Sequence, residues 1–139
     1  MQDRFKFRVF DKENGEMFYP TKEDEYIEID ANGDLIGINL EGLWCGGLNC
    51  ILMQCTGLED KSDKLIYEGD ILKFKLLEDF AAFGTNEKYV EIIAPVIYEY
   101  GGFFIEQSEN SIFLGQLPMS EIEVVGNIYE NPKLLKEVK

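Results

Sequence analysis

The stretch from Leu52 to Phe74 constrains this chain more than any other part, because two apolar arms flank a charged interruption and then meet a tight corner. The interruption is Glu59-Asp60-Lys61-Ser62-Asp63-Lys64, and the corner is Glu68-Gly69-Asp70, which opens into the alternating run Ile71-Leu72-Lys73-Phe74. That order describes a strand, a turn and a second strand. Gly69 is expected at positive φ, with the Asp70 carboxylate bonding the backbone of its own turn rather than forming an acid pair with Glu68.

The rest of the chain extends the same grammar. Arg4 to Phe10 alternates, which puts Phe5, Phe7 and Val9 on one face and Arg4, Lys6 and Arg8 on the other, as in a half-buried strand. Asp11 to Glu16 supplies turn residues, and Met17-Phe18-Tyr19 returns as the partner strand before Pro20. A second hairpin joins Tyr26-Ile27-Glu28-Ile29 to Leu35-Ile36-Gly37-Ile38 across Asp30-Ala31-Asn32-Gly33-Asp34. Leu40 to Ile51, rich in Gly and Cys, reads as a compact connection that buries Trp44, with Gly46-Gly47 as a hinge and a composition shift that marks a boundary.

Farther on, Lys75 to Lys88 suits a long loop or a short helical turn near Glu78 to Phe83. Tyr89 to Ile93 and Val96 to Tyr100 read as strands separated by Pro95, which marks an edge or a bulge. Gly101-Gly102 turns the chain into Phe103-Phe104-Ile105-Glu106. Ile112 to Gly115 and Ile122 to Tyr129 complete the strands, with Pro118 to Glu121 between them. Asn131 is expected to cap a short closing helix that begins at Pro132. The fold class that follows is mainly β, with residues 1–51 as an amino-terminal β-hairpin region and residues 52–139 as a second module, or the two as one continuous domain.

Charge is the compositional fact that limits function. The chain carries 27 acids, 13 bases and no His, for a formal charge of −14. Residues before Leu52 hold 11 acids against 5 bases, and the remainder 16 against 8, so the acidity is spread. A surface of this sign repels nucleic acid and anionic membranes, and the one basic cluster, Arg4, Lys6 and Arg8, is too small to reverse it. The bland reading is a solvated surface; the sharper one is an acidic face for a basic partner, or a mimic of nucleic acid. Cys45, Cys50 and Cys55, with no signal-like amino terminus and no long apolar run, point to a reducing cytoplasm and to small apolar side chains. They lack the fourth ligand and the close pairs of a zinc knuckle.

The usual chemistries are missing. Without His there is no ordinary general base near neutral pH and no Ser-His or Cys-His arrangement. Gly42, Gly46 and Gly47 are not followed by the Lys-Ser/Thr step of a phosphate loop. The Asp30 to Asp34 loop has its Gly fourth, not sixth as a calcium loop of the EF type requires. No residue stands out as catalytic, cofactor-binding or metal-binding, and no cofactor is expected.

Three phrases carry a resemblance. They are Phe7-Arg8-Val9-Phe10-Asp11, then Gln54-Cys55-Thr56-Gly57-Leu58-Glu59-Asp60-Lys61-Ser62-Asp63 running into Ile66-Tyr67-Glu68-Gly69-Asp70-Ile71, and Gly126-Asn127-Ile128-Tyr129-Glu130-Asn131-Pro132. With them the chain resembles the YopX family of small phage and prophage proteins. It departs from the family pattern at Phe10, where Trp is common, at Cys55 in an aromatic position, and at Ser62-Asp63 in place of an Asn-Gly turn. The resemblance implies a mainly β protein whose carboxy-terminal part is similar to an SH3-like barrel, encoded by a phage or prophage, with no catalytic residue to carry over. The leading expectation is a non-enzymatic interaction protein of the bacterial cytoplasm with a protein partner. A nucleic-acid mimic and a carboxylate-metal hydrolase are the rivals. The aromatics of the strand from Arg4 to Phe10 and of an edge strand carrying Val96, Tyr98 and Tyr100 further suggest a homo-oligomer.

Overall fold

The computed structural model describes residues 5–21, 24–40, 43–46, 49–77, 89–107 and 111–136. The helical turn expected near Glu78 to Phe83 lies outside them, as do Arg4 and Gly47. Twelve strands are described: β1 Phe7–Asp11, β2 Glu16–Phe18, β3 Tyr26–Ile29, β4 Leu35–Leu40, β5 Leu43–Gly46, β6 Cys50–Glu59, β7 Leu65–Tyr67, β8 Asp70–Leu77, β9 Tyr89–Glu99, β10 Gly102–Glu106, β11 Ser111–Phe113 and β12 Glu123–Asn127. Two 3-10 turns, Leu114–Gln116 and Met119–Glu121, precede β12, and one short helix, α1 Lys133–Lys136, follows it. The protein is mainly β, as the alternation and turn residues require.

The chain divides into two compact units, Met1–Cys55 and Thr56–Lys139. The boundary expected at 51/52 falls inside β6, a strand that runs from one unit into the other.

In the first unit β1 pairs antiparallel with β2 and with the first half of β6, in register from Phe7↔Gln54 to Asp11↔Cys50. The β1–β2 turn is closed by Asp11, whose carboxylate accepts the backbone N–H groups of Glu13 and Asn14 and the Asn14 side-chain amide. Arg8 corrects the simple alternation: it is 2% exposed, and its Nη1 donates to the Tyr19 hydroxyl at 3.2 Å. Phe5, expected on the buried face, precedes β1 and is exposed. The reason lies in β1 itself, whose Arg8, Val9 and Phe10 are all buried, so that both of its faces are covered.

The second hairpin forms as read, with Asp30 Oδ1 accepting the N–H groups of Asn32 and Asp34. Those aspartates serve the turn. Within Leu40 to Ile51, expected to be a connection, Leu43–Gly46 form β5, the third strand of the sheet β3-β4-β5. Trp44 is therefore not buried. It stands 51% exposed, opposite Asn39, and its indole N–H donates to Glu28 at 3.0 Å.

The second unit is built on the sheet β11-β10-β9-β8-β12, which curls into a half-barrel. Its core gathers Ile66, Leu72, Phe74, Ala94, Val96, Ile105, Leu114, Leu117 and Ile122. Each large apolar side chain so buried contributes about 1.5–3 kcal/mol relative to exposure. β9 corrects another expectation. It is one strand through Pro95, and it lies between β8 and β10 rather than at an edge. Pro95 is tolerated because it stands at the handover between partners: residues up to Pro95 pair with β8, and those from Val96 onward pair with β10.

Candidate functional site

The two longest phrases noted in the sequence meet at one corner of the second unit. Gly69 has φ +88°, as its turn requires, and its N–H donates to the Val96 carbonyl while its own carbonyl accepts from Ile128. Asp70 is buried, and its Oδ2 accepts the Tyr67 N–H at 2.8 Å. Opposite it in register is Asn127, whose Oδ1 accepts from Tyr129 and Glu130 and whose amide donates to Glu130. Asn131 does not use its side chain as expected: its Oδ1 accepts the Asn127 N–H, and α1 begins at Lys133, beyond Pro132. A methyl group on Gly126 would stand 2.6 Å from that oxygen and 2.9 Å from the Asn131 Cβ, so Asn131 keeps its place only beside a glycine.

Asp60 completes the stitching. It is 6% exposed, its Oδ1 accepts the N–H groups of Ser62 and Lys64, and its Oδ2 accepts that of Val124, 64 positions away. Burial raises its pKa, but the hydrogen bonds from Val124, Lys64 and Ser62, with the Lys64 charge, outweigh it and leave the carboxyl below its usual range. In sequence Asp60 was one charge within a polar turn, and nothing local marked it out. The distinctive phrases thus bond to backbone and to one another. Their chemistry is that of a folded corner.

A cleft of about 620 Å³ lies on the same unit, lined by Lys61, Lys73, Phe74, Lys75, Tyr89, Glu91, Glu121 and Glu123. Its charges neutralise one another: Lys61 pairs with Glu123 at 3.6 Å and Lys73 with Glu91 at 4.0 Å, while register sets Lys73 opposite Glu123 and Lys75 opposite Glu91. Cross-strand ion pairs on a solvated sheet account for it, and exposed pairs of this kind contribute little. Among the described residues no group of His, Cys, Asp and Glu is arranged to hold a metal ion. Cys55 is buried and Cys50 partly buried, and neither belongs to such a group.

Among the described residues, one surface that the fold does not account for is the tip of the β9–β10 hairpin. Val96 and Ile105 fill the core; two positions farther out on the same face, Tyr98 and Phe103 pair edge to face at 5.2 Å, and Tyr98 is 54% exposed. On the opposite face Phe104 meets Phe113 at 5.6 Å, and Phe113 is 46% exposed. The turn is Tyr100-Gly101, one residue earlier than expected, with φ +52° and +78°. Positive φ at both central positions is the pattern that Asn-Gly favours. Tyr100 occupies it with 90% of its surface in solvent.

These features define a mainly antiparallel β protein in two units, with a hydrogen-bonded corner between β8 and β12 and an exposed aromatic hairpin tip. A family profile described as YopX protein matches residues 6–136, and the chain belongs to that family. Among solved structures it is similar to protein EF1440 from Enterococcus faecalis, at 26% identity over 94% of this chain and 96% of that one, with a TM-score of 0.62. It is also similar in fold to protein yopX from Bacillus subtilis, at 24% identity over 94% of this chain and 98% of that one, with a TM-score of 0.64. No curated protein matches it. No helix among the described residues is long and apolar enough to cross a membrane.

Proposed function

We propose that the chain is a non-enzymatic protein-interaction module, encoded by a phage or prophage and acting in the bacterial cytoplasm. Its second unit is an SH3-like barrel that serves as the scaffold, and the β9–β10 hairpin tip is the docking surface. The observation that carries this reading is Tyr100. A bulky residue at φ +52° is strained, and with 90% of its surface in solvent it returns no packing to the fold. Aromatic side chains left outside the core and clustered at one tip are what a partner surface offers. The formal charge of −14 supports a partner that is neither nucleic acid nor an anionic membrane.

The test is site-directed photocrosslinking in bacterial cells. p-Benzoylphenylalanine at position 98 or 113 should give a discrete higher-mass product, and the same group at position 91, in the ion-paired cleft, should not. Absence of a product at both tip positions would refute the reading.

A further inference from the structure

We propose that one face of the sheet β3-β4-β5 is a second binding site, which takes an arginine side chain of a partner polypeptide onto the indole of Trp44 beside the Glu28 carboxylate. The site belongs to the first unit and does not rest on the reading of the β9–β10 tip. Register builds the face in two rows. Tyr26, Asn39 and Trp44 stand opposite one another across the three strands, and Glu28, Gly37 and Gly46 form the next row, while Ile38, on the opposite face, is buried. Two of the three positions in the second row have no side chain, and the indole uses that room. Its six-membered ring lies against Gly46, where a Cβ would stand 3.8 Å away, and its N–H reaches Glu28 Oε2 at 3.0 Å. Gly37, between those two contacts in register, is buried. The ring is thus held at both ends, and half of Trp44 still faces solvent.

Two properties select the occupant. An indole is the aromatic group whose face attracts a cation most strongly. The carboxylate of Glu28 is in direct contact with the rim of that ring, and its Oε1 accepts from no other residue among those described. The sheet cannot supply the missing cation, because neither Lys nor Arg occurs from Glu23 to Asp60. A planar guanidinium can stack on the ring and direct N–H groups past its edge to the carboxylate, whereas an ammonium group is compact and more strongly hydrated. An anionic ligand is repelled by the same carboxylate. The face is open rather than enclosed, since Tyr26, Glu28 and Trp44 are all exposed, so the arginine is best held when a longer chain carries it and adds contacts of its own.

Trp44 is the one tryptophan of the chain, so its emission reports on this site directly. The full chain is titrated at about 150 mM salt with the pentapeptide Gly-Gly-Arg-Gly-Gly, blocked at both ends, and with the same peptide carrying citrulline or Lys at the centre. Citrulline keeps the planar shape and loses the charge. The Arg peptide should change the emission saturably, and the citrulline peptide should bind at least about threefold more weakly. Glu28→Gln keeps an acceptor for the indole N–H and removes the charge, and it should weaken Arg-peptide binding about twofold to fivefold. Glu106→Gln, which changes the net charge equally but lies on β10, should leave binding unchanged. Circular dichroism checks that both variants are folded. No saturable change of emission at millimolar Arg peptide would overturn the proposal, as would equal binding of the citrulline peptide, which would mean stacking without charge. Equal weakening by Glu28→Gln and Glu106→Gln would mean diffuse ion pairing and would overturn it too. A Lys peptide that binds as tightly as the Arg peptide would overturn the guanidinium assignment.

Discussion

Asp60→Asn separates a structural carboxylate from a merely solvated one. Asp60 accepts three backbone N–H groups, at 2.8 Å from Ser62, 3.0 Å from Lys64 and 3.0 Å from Val124, and its side chain ties the β6–β7 turn to the start of β12. Asparagine keeps one acceptor oxygen and turns an NH2 group toward a donor, so one side of the arrangement is lost. Hydrogen bonds to a charged group contribute roughly 1.5–3 kcal/mol each, but Ser62 and Lys64 are exposed and water can replace their lost partner. The Val124 N–H is less accessible, and the net loss is therefore about 2–4 kcal/mol. Urea unfolding at pH 7 should show it as a midpoint lower by about 1–2 M.

The pH dependence gives a second reading of the same residue. Because the folded-state pKa of Asp60 is lowered, its contribution is fully present above the unfolded value near 4 and is lost as pH falls through the folded value. The gap between parent and variant should accordingly be widest near neutral pH and close under acid conditions. A loss below about 0.5 kcal/mol at pH 7, within the usual range for a surface substitution, would refute the argument. So would a loss of equal size at pH 3.

Four further substitutions probe the same corner and turn by urea unfolding. Gly69→Val should cost about 1–3 kcal/mol, since valine cannot adopt φ +88° without strain. Gly126→Ala should cost about 1–3 kcal/mol by displacing the Asn131 side chain, and Asn131→Gly, which removes the Cβ as well as the carboxamide, should remove most of that difference when the two are combined. Asp63→Gly should raise stability by about 0.5 kcal/mol, because Asp63 holds φ +62° where glycine is unstrained.

What the sequence revealed follows the range of the interactions involved. Gly69 and Asp70 were legible because a tight turn is closed by its own residues. The Asp11 and Asp30 turns were legible for the same reason. Asp60 was not, since its decisive partner, Val124, is distant in sequence and only the pairing of β12 with β8 brings it near. Trp44 misled because an indole among glycines and cysteines resembles a buried anchor, whereas β5 holds it on the face where Glu28 takes its N–H. Pro95 misled because its effect depends on which neighbour needs the missing N–H, and β9 changes neighbours at that residue. The aromatic tip was visible as residues but not as a surface: Gly101-Gly102 offered a plausible turn, and only the register shows that Tyr100 occupies the strained position.

The central claim is that Tyr100 is held at the hairpin tip for a partner and not for the fold, and the unfolding free energy of Tyr100→Asn tests it most directly. Asparagine before glycine is favoured at positive φ, and almost no buried area is lost with a side chain 90% exposed, so stability should rise by about 0.5–1 kcal/mol. Followed by circular dichroism in urea, that is a midpoint higher by about 0.5 M. A midpoint lower than that of the parent would mean that the tyrosine contributes to the folded state, and would contradict the claim.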